Sequence, residues 1–415
     1  MIRVLHTADW HLGVTGYGQM NPVSGQHQRL EDYLATIDQM VAYALANLID
    51  VFLVSGDIYH TKTPDSTQQR EFAKRVHVLV QAGILVVLLV GNHDAIGREN
   101  AANPLDLYTA LDIPGVYVLR EPAVTTIETR SGPVQVASLP HMSRSIIEAR
   151  RTEMAEDMNA SEHEMEAILG GIVTELAGRI DPTIPSVLAA HWAIDVALAG
   201  SEGQMMLGRG LTLSLAALQQ PEFDYVAMGH IHKPQSWLGE GPLVAYPGSP
   251  DRVDFGEEDD EKGFLVVELE AGSATSVRVP LQVRPFVTIR PNLTDAEYPT
   301  DALVAAIGQV EVAGAVVRLA YTLKSDRVKQ IDEARVREAL ASAFYVAWRP
   351  NILPAEARMR NPSLAASCAG DPLTSLGSYI DAMPELADRR EVLLAAGAAL
   401  CASLSGDPIG EVARA

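Results

Sequence analysis

The chain has 415 residues, is 47% apolar and carries a formal net charge of −21. That length predicts two or three domains with ample material for packed cores, and the acidic balance excludes a protein coated generally in basic charge for nucleic acid, though not a local patch or a bound cation. Two cysteines without metal-type spacing, Cys368 and Cys401, exclude a disulfide framework and make a reducing cytoplasm the expected compartment.

Taken in order, Arg3 to Thr7 reads as a strand followed by Asp9-Trp10-His11, then a polar, Gly-rich loop from Gly13 to Gly25. Leu30, Leu34, Ile37, Val41, Leu45 and Leu48 recur at three and four residues, which predicts one face of a helix. Val51 to Ser55 is the next strand and ends in Gly56-Asp57-Ile58-Tyr59-His60. A strand, helix and strand in that order predict a parallel sheet. A helix over Ser66 to Ala82, with Phe72, Val76 and Leu79 inward, precedes the apolar run Ile84 to Val90. That run ends in Gly91-Asn92-His93-Asp94, where Gly91 is expected to permit a sharp turn.

Further on, a helix is expected from Asn100 to Leu111. Short strands follow at Val116 to Leu119, Val124 to Thr129 and Val134 to Ser138. Ile146 to Ile180 reads as helical, broken near Asn159-Ala160-Ser161, where Ser161 and Glu164 have capping-box spacing. A strand from Val187 to Ala190 runs into His191. Met205 to Gly210 reads as a loop and Leu211 to Leu218 as a short helix. The strand Tyr225 to Met228 leads to Gly229-His230-Ile231-His232, and Gly263 to Leu269 closes the first domain, placed at 1–282. A small α+β domain is expected over 283–352 and a linker over 353–371, within a Pro-, Ala-, Ser- and Asn-rich stretch starting at Asn351. A helical pair is expected within 372–415. Its apolar stretch, Val392 to Leu404, is too short to span a bilayer. The chain enters its first strand at once, with no signal-peptide pattern, so no membrane contact is expected.

Five metal-capable groups therefore follow five apolar runs, each just past a strand's C-terminal end. In open α/β sheets the ligand crevice lies at that edge. Asn is a poor zinc ligand and suits a hard, six-coordinate cation such as Mn²⁺ or Mg²⁺. The expected ligands are Asp9, His11 and His232 for one cation and Asn92, His191 and His230 for a second, with Asp57 bridging. Two such cations form a clamp suited to in-line hydroxide attack on a phosphoester. His93 is expected to donate a proton to the leaving oxygen, Asp94 to orient the His93 ring, and His60 to touch substrate or assist His93. His6 and His77 lie within predicted elements and are expected to serve the core or surface.

The set resembles the calcineurin-like metallophosphoesterases and, more narrowly, the SbcD-type nuclease subunits of SbcC–SbcD complexes. The narrower resemblance rests on His6-Thr7-Ala8-Asp9-Trp10-His11-Leu12-Gly13 and on Gly229-His230-Ile231-His232-Lys233-Pro234-Gln235. It rests also on Tyr246-Pro247-Gly248-Ser249-Pro250-Asp251-Arg252-Val253-Asp254-Phe255-Gly256-Glu257, continuing through Glu261-Lys262-Gly263-Phe264. It is close over 1–269, one of layout over 283–350, and one of place and pattern from 372 onward.

The resemblance implies an α/β fold: a metallophosphoesterase β-sandwich flanked by helices, a small capping domain and a C-terminal helical pair. It implies a Mn²⁺-dependent nuclease, 3′→5′ exonucleolytic on double-stranded ends and endonucleolytic on single strands and hairpins, in DNA break repair and recombination. The implied partners are DNA, an SbcC-type ATPase gripped by the C-terminal helices, and a second copy of the chain. The alternatives are a small-molecule phosphodiesterase or phosphatase with the same core, and a non-catalytic scaffold. Net charge opposes DNA binding, so local contacts are sought at Lys62, Arg70, Lys74, Arg75, Lys233 and Arg252. The acidic run Glu257 to Glu261 is expected to be a solvated loop.

Overall fold

A computed structural model describes residues 1–95, 102–149, 162–198, 211–355, 372–381 and 383–405. The expected helix break at Asn159-Ala160-Ser161, the loop Met205 to Gly210 and most of the expected linker lie outside those residues. The chain divides into two compact units, one of 1–321 with 332–350, the other of 322–331 with 351–415.

In the first unit β1 (Ile2–Thr7), α1 (Gln28–Ala46), β2 (Val51–Val54), α2 (Ser66–Gln81), β3 (Leu85–Leu89), α3 (Asp106–Ala110) and β4 (Val116–Leu119) alternate. Their four strands pair in parallel. The next stretch holds β5 (Ala123–Thr129), β6 (Gly132–Leu139), α4 (Arg144–Ala149), α5 (Glu162–Ala177) and β7 (Ser186–His191). It continues through β8 (Ala193–Ile194), β9 (Thr212–Leu213), α6 (Leu215–Leu218), β10 (Tyr225–Gly229), β11 (Gln235–Trp237) and β12 (Leu243–Tyr246). A second sheet forms in the order β11-β12-β10-β7-β6-β5. The chain then returns through β13 (Gly263–Glu270) and β14 (Ser273–Pro280), which extend the first sheet antiparallel beside β1.

The strand period of two decides how these layers stack. Val4, Val51, Leu53, Val87 and Leu89 from the first sheet meet Val136, Val187, Ala189, Tyr225 and Ala227 from the second in one inner core. Their neighbours Leu5, Phe52, Val54, Val86 and Leu88 point the other way and are covered by α1 and α2. Leu188, Ala190, Val226 and Met228 likewise face Leu169, Val173 and Leu176 of α5. The result is a β-sandwich with helices on both outer faces. His6 is fully buried, and its Nδ1 is hydrogen-bonded to the Tyr225 hydroxyl at 2.8 Å, tying the two sheets.

Several expectations change. Leu45 and Leu48 are exposed, because α1 ends at Ala46 and its buried face stops at Ala44. β14 has no clear apolar pattern in the sequence, because its residues are mostly exposed or half-buried, as befits an edge strand. The apolar stretch 315–323 contributes to two strands, β16 (Val316–Leu319) and β17 (Thr322–Lys324). Parallel β15 (Phe286–Ile289), β16 and β18 (Tyr345–Trp348) form a small sheet, accompanied by α7 (Pro299–Ile307) and α8 (Glu333–Ala339). In the second unit β17 pairs with β19 (Asn351–Leu353), so the stretch expected to be linker begins as a strand. That unit also holds α9 (Pro372–Asp381) and α10 (Arg390–Ser405), joined by an Arg390–Asp381 ion pair of 2.7 Å. No helix among the described residues is long and apolar enough to cross a membrane.

Candidate metal centre

β1, β2 and β3 are neighbours in the first sheet, and β7 and β10 are neighbours in the second. The loops leaving their C-terminal ends interlock. Asp9 N–H donates to the Gly56 carbonyl and His11 N–H to the Asp57 carbonyl, each at 3.0 Å. His230 N–H donates across the sandwich to both carboxylate oxygens of Asp9, at 2.9 and 3.0 Å. This closeness has a conformational cost. Asp9, His11, Asp57 and His230 have φ of 56°, 46°, 53° and 102°, a region that costs non-glycine residues about 1–3 kcal/mol each. Two glycines supply clearance. A Cβ on Gly229 would overlap the Ser55 carbonyl, and one on Gly91 would overlap the Asp57 carboxylate. Gly91 is not in the left-handed region, so its role is close approach rather than the expected sharp turn.

The side chains converge in two clusters. The ligand atoms of Asp9, His11 and His232 lie within 4.8 Å of one another, and so do those of Asp57, His191 and His230. Asn92 joins the second cluster, its Oδ1 being 2.9 Å from His230 Nδ1 and 3.0 Å from His191 Nε2. Asp57 Oδ2 reaches both clusters, at 3.3 Å from His191 Nε2 and 3.8 Å from His11 Nε2.

The donor set fits divalent cations on tautomer grounds. His191 Nδ1 donates to the Ser55 carbonyl at 2.7 Å, so its Nε2 is the atom left to offer a lone pair. His232 Nδ1 donates to Glu257 at 2.7 Å, with the same consequence. His232 Nε2 then faces His11 Nε2 at only 3.0 Å. His232 Nε2, left without a proton of its own, needs either the proton of His11 Nε2 or a cation beside it. Burial disfavours charge on these rings: His230 is pushed down to about 3 by burial and by the His191 charge, and His11 well below its ordinary value by burial and His232. Burial opposes charge on His191 too, but the Asp57 carboxylate overcomes it and raises the ring to about 9. Burial likewise opposes ionisation of Asp57, yet His191 holds it well below the usual carboxylate range. Asp9 is raised to about 6 by burial, against the pull of His191 and His232.

A third cluster stands beside the first, with His11, His60 and His93 offering nitrogens within 4.8 Å of one another. The His93 backbone N–H donates to Asp57 Oδ1 at 2.8 Å. Its ring stacks on His60 at 5.5 Å, and its Nδ1 donates to the His60 carbonyl at 2.7 Å. The expected orienting role of Asp94 is therefore replaced. Its buried carboxylate is taken up by the N–H groups of Ile58, Tyr59 and Gly91, at 3.0 to 3.2 Å, which fix the two turns to each other.

Glu257 was missed by sequence reasoning, which placed it in a solvated run. It is fully buried and accepts from His232 Nδ1, Ser249 Oγ and Val253 N–H, and pairs with the equally buried Lys262 at 2.7 Å. Burial favours its neutral form, but Lys262 and His232 hold it well below the carboxylate range. The available signal was spacing, since Glu257 and Lys262 lie five residues apart, just before an apolar strand.

The basic candidates also sort themselves. Arg70, Lys74 and Arg75 all pair with Glu71, and Arg75 pairs also with Asp38. Arg252 donates to the carbonyls of Glu257, Glu258, Asp260 and Arg284, so it organises this segment instead of facing solvent. Arg29, fully buried in α1, binds the Arg252 carbonyl and Asp251. Lys62 and Lys233 are exposed.

A β-sandwich that gathers carboxylate, amide and imidazole groups at one edge, with a carboxylate shared between two clusters, defines a dinuclear metal-dependent hydrolase. The family model described as calcineurin-like phosphoesterase matches residues 2–234. The chain belongs to that family. It is similar to the SbcD subunit of nuclease SbcCD from Rhodobacter capsulatus, 29% identical over 309 residues, covering 70% of this chain and 71% of the relative. The SbcD subunit of Bacillus subtilis nuclease SbcCD is 25% identical over 277 residues, 65% and 67% of the two chains. DNA double-strand break repair protein Mre11 of Haloferax volcanii is 26% identical over 298 residues, 72% of this chain and 56% of that one.

The geometry has two measurable consequences. Removing the Glu257 carboxylate frees the His232 ring to turn, so metal affinity should fall about 10- to 100-fold, measured by competition with a chelator. Glu257→Gln alone also strands buried Lys262, at about 3–5 kcal/mol. The pair Glu257→Gln with Lys262→Met separates the two effects, since it should keep the affinity loss with much of the stability restored. The second concerns pH. The His191 value is above its ordinary 6.5, so its ion pair stabilises the metal-free protein fully below that value. That contribution is lost as pH rises through about 9. Cation uptake near neutrality should therefore release a proton, and calorimetry in buffers of different ionisation enthalpy should show that release vanish at higher pH.

Proposed function

We propose that this chain is the Mn²⁺-dependent nuclease subunit of an SbcC–SbcD-like complex acting on DNA ends, with Mg²⁺ as the alternative metal. The observation that carries the reading is the reach of Asp57 Oδ2 into both clusters, 3.3 Å from one imidazole and 3.8 Å from the other. Asp9, His11 and His232 would hold one cation and Asn92, His191 and His230 the other, with Asp57 between them. Such a pair, when bound, neutralises a phosphodiester and supplies a nucleophile from water. The kinship with proteins named as SbcCD nuclease subunits and as Mre11 supports DNA as substrate.

His93 is the proposed proton donor. The His60 carbonyl can only accept, so His93 Nδ1 keeps its proton and Nε2 is the atom that exchanges one. The leaving oxygen of a phosphodiester is poor unless protonated, and His93 Nε2 supplies that proton. His60 limits the rotation of that ring by stacking on it.

Residues 283–352 form the capping domain of the nuclease domain 1–282, and 372–415 carry the helices that grip an SbcC-type ATPase. The names of the SbcCD relatives support such a partner. Dimerisation through helices that follow Asp57 and Asn92 is part of the same reading, as are exonuclease action on duplex ends and endonuclease action on single strands and hairpins.

The direct test is hydrolysis of a duplex labelled at one end, with Mn²⁺, Mg²⁺ or EDTA. Manganese-dependent shortening is expected, abolished by Asp57→Ala. His93→Asn should lower turnover about 10²- to 10⁴-fold while metal uptake stays near normal. Cleavage that survives Asp57→Ala would overturn the assignment of the bridge. For the tail, a chain lacking 372–415 should fail to co-purify with the ATPase and keep basal nuclease activity. Undiminished co-purification would remove the tail from the interface.

A further inference from the structure

Away from the metal centre, the small parallel sheet of β15, β16 and β18 meets the segment that carries Glu257. Phe255, two residues before Glu257, packs with Phe286, Val316 and Ala347. Tyr17, from the loop that follows Asp9 and His11, lies edge-on to Phe255 at 5.0 Å and to Phe286 at 5.6 Å. A cavity of about 410 Å³ opens beside them, lined by Tyr17, Phe255, Arg290, Arg318 and Arg349. That volume lies within the range of ligand pockets, roughly 300–1,000 Å³.

Three guanidinium groups in one cavity are anomalous in a chain of net charge −21. Arg318 is held in place: Nε donates to Thr288 Oγ1 at 3.0 Å, Nη2 lies 3.7 Å from Glu258, and its guanidinium sits 4.4 Å from the centre of the Phe255 ring. Arg290 has no side-chain hydrogen bond or ion pair among the described residues. The guanidinium of Arg349 makes one bond, of 3.3 Å, to the Trp348 carbonyl. Glu258 offsets Arg318, and Asp254 also acts on the Tyr17 hydroxyl. Neither carboxylate lines the cavity. Positive charge thus remains unmatched in a pocket that also offers aromatic rings.

We propose that this cavity binds one nucleotide unit of an unpaired DNA strand, with its phosphate on Arg290 and Arg349 and its base against Tyr17. Guanidinium groups match phosphate oxygens with paired donors, and aromatic side chains stack bases whatever their identity. The cavity is coupled to the metal centre through the chain itself. Phe255 lines the cavity while Glu257 holds His232, and two residues span at most about 7 Å between Cα atoms. A strand threaded from the cavity would reach the centre within a few nucleotides, which favours single-stranded DNA over intact duplex. The proposal rests on the DNA-nuclease reading above.

The test uses the full chain and a fluorescent thymidine oligonucleotide, titrated in EDTA at several salt concentrations, beside an abasic phosphodiester of equal length. Arg290→Ala/Arg349→Ala should weaken binding at least about tenfold and lower the salt dependence by about one unit of slope per lost phosphate contact. Tyr17→Leu should weaken the thymidine oligonucleotide and leave the abasic one nearly unchanged. The paired arginine variant should fold, because those guanidinium groups make almost no internal bonds. Its circular dichroism spectrum and thermal midpoint should match those of the unaltered chain. If the unaltered chain cuts DNA but the arginine variant binds as tightly, the cavity proposal falls and the nuclease reading stands. If the arginines govern binding but no DNA is cut with Mn²⁺, with or without the ATPase, the cavity stands as a nucleotide site and the nuclease reading falls. If the oligonucleotide is neither bound nor cut, both fall.

Discussion

Everything at the edge of this sandwich depends on one buried carboxylate, Asp57. It sits in left-handed backbone, against a glycine that must lack a side chain, and its two oxygens have different duties. Oδ1 accepts the His93 N–H, and Oδ2 lies between His191 and His11. A carboxylate taken out of water in this way is tolerated only where opposite charge and hydrogen bonds surround it. The loops of β1, β2, β3, β7 and β10 supply that surrounding and are drawn together by it. The strained residues of the centre, Asp9, His11, Asp57 and His230, lie in the loops of β1, β2 and β10, and the bonds around them hold them there.

The sequence was most legible where chemistry and periodicity agree. Strand ends could be read because each apolar run stops at a polar, metal-capable residue. The ten residues singled out at those ends lie together at one edge of the sandwich. A residue whose role is decided by a distant neighbour is not legible in this way. Glu257 looks solvated among acidic residues, yet Lys262 and His232 bury it. Arg252 looks like a DNA contact, yet four carbonyls claim it. Asp94 follows His93 in sequence, but its partners are backbone amides of two different turns. β14 escaped notice because an exposed edge strand carries little hydrophobic pattern.

The charge distribution is similarly local. The acidic total conceals a division between cations spent on structure and cations left over. Arg29, Arg252 and Lys262 hold the 249–262 segment against α1 and against His232. Arg70, Lys74 and Arg75 gather around Glu71 on one helix, and Arg75 also reaches Asp38. What remains unmatched in a cavity is a small group near Tyr17, and a counter-ion atmosphere responds to such local fields more than to the sum over the chain.

The placement of the converging side chains on both sheets has a consequence for synthesis. Asp9, Asp57, Asn92 and His191 come early in the chain, whereas His230, His232 and Glu257 come later. A nascent chain that has emerged only as far as residue 224 can build most of the first sheet but neither complete cluster. The same holds for a chain whose second sheet has come apart. The complete centre therefore exists only once the two halves of the sandwich have closed on each other, and a partly emerged or partly opened chain lacks it.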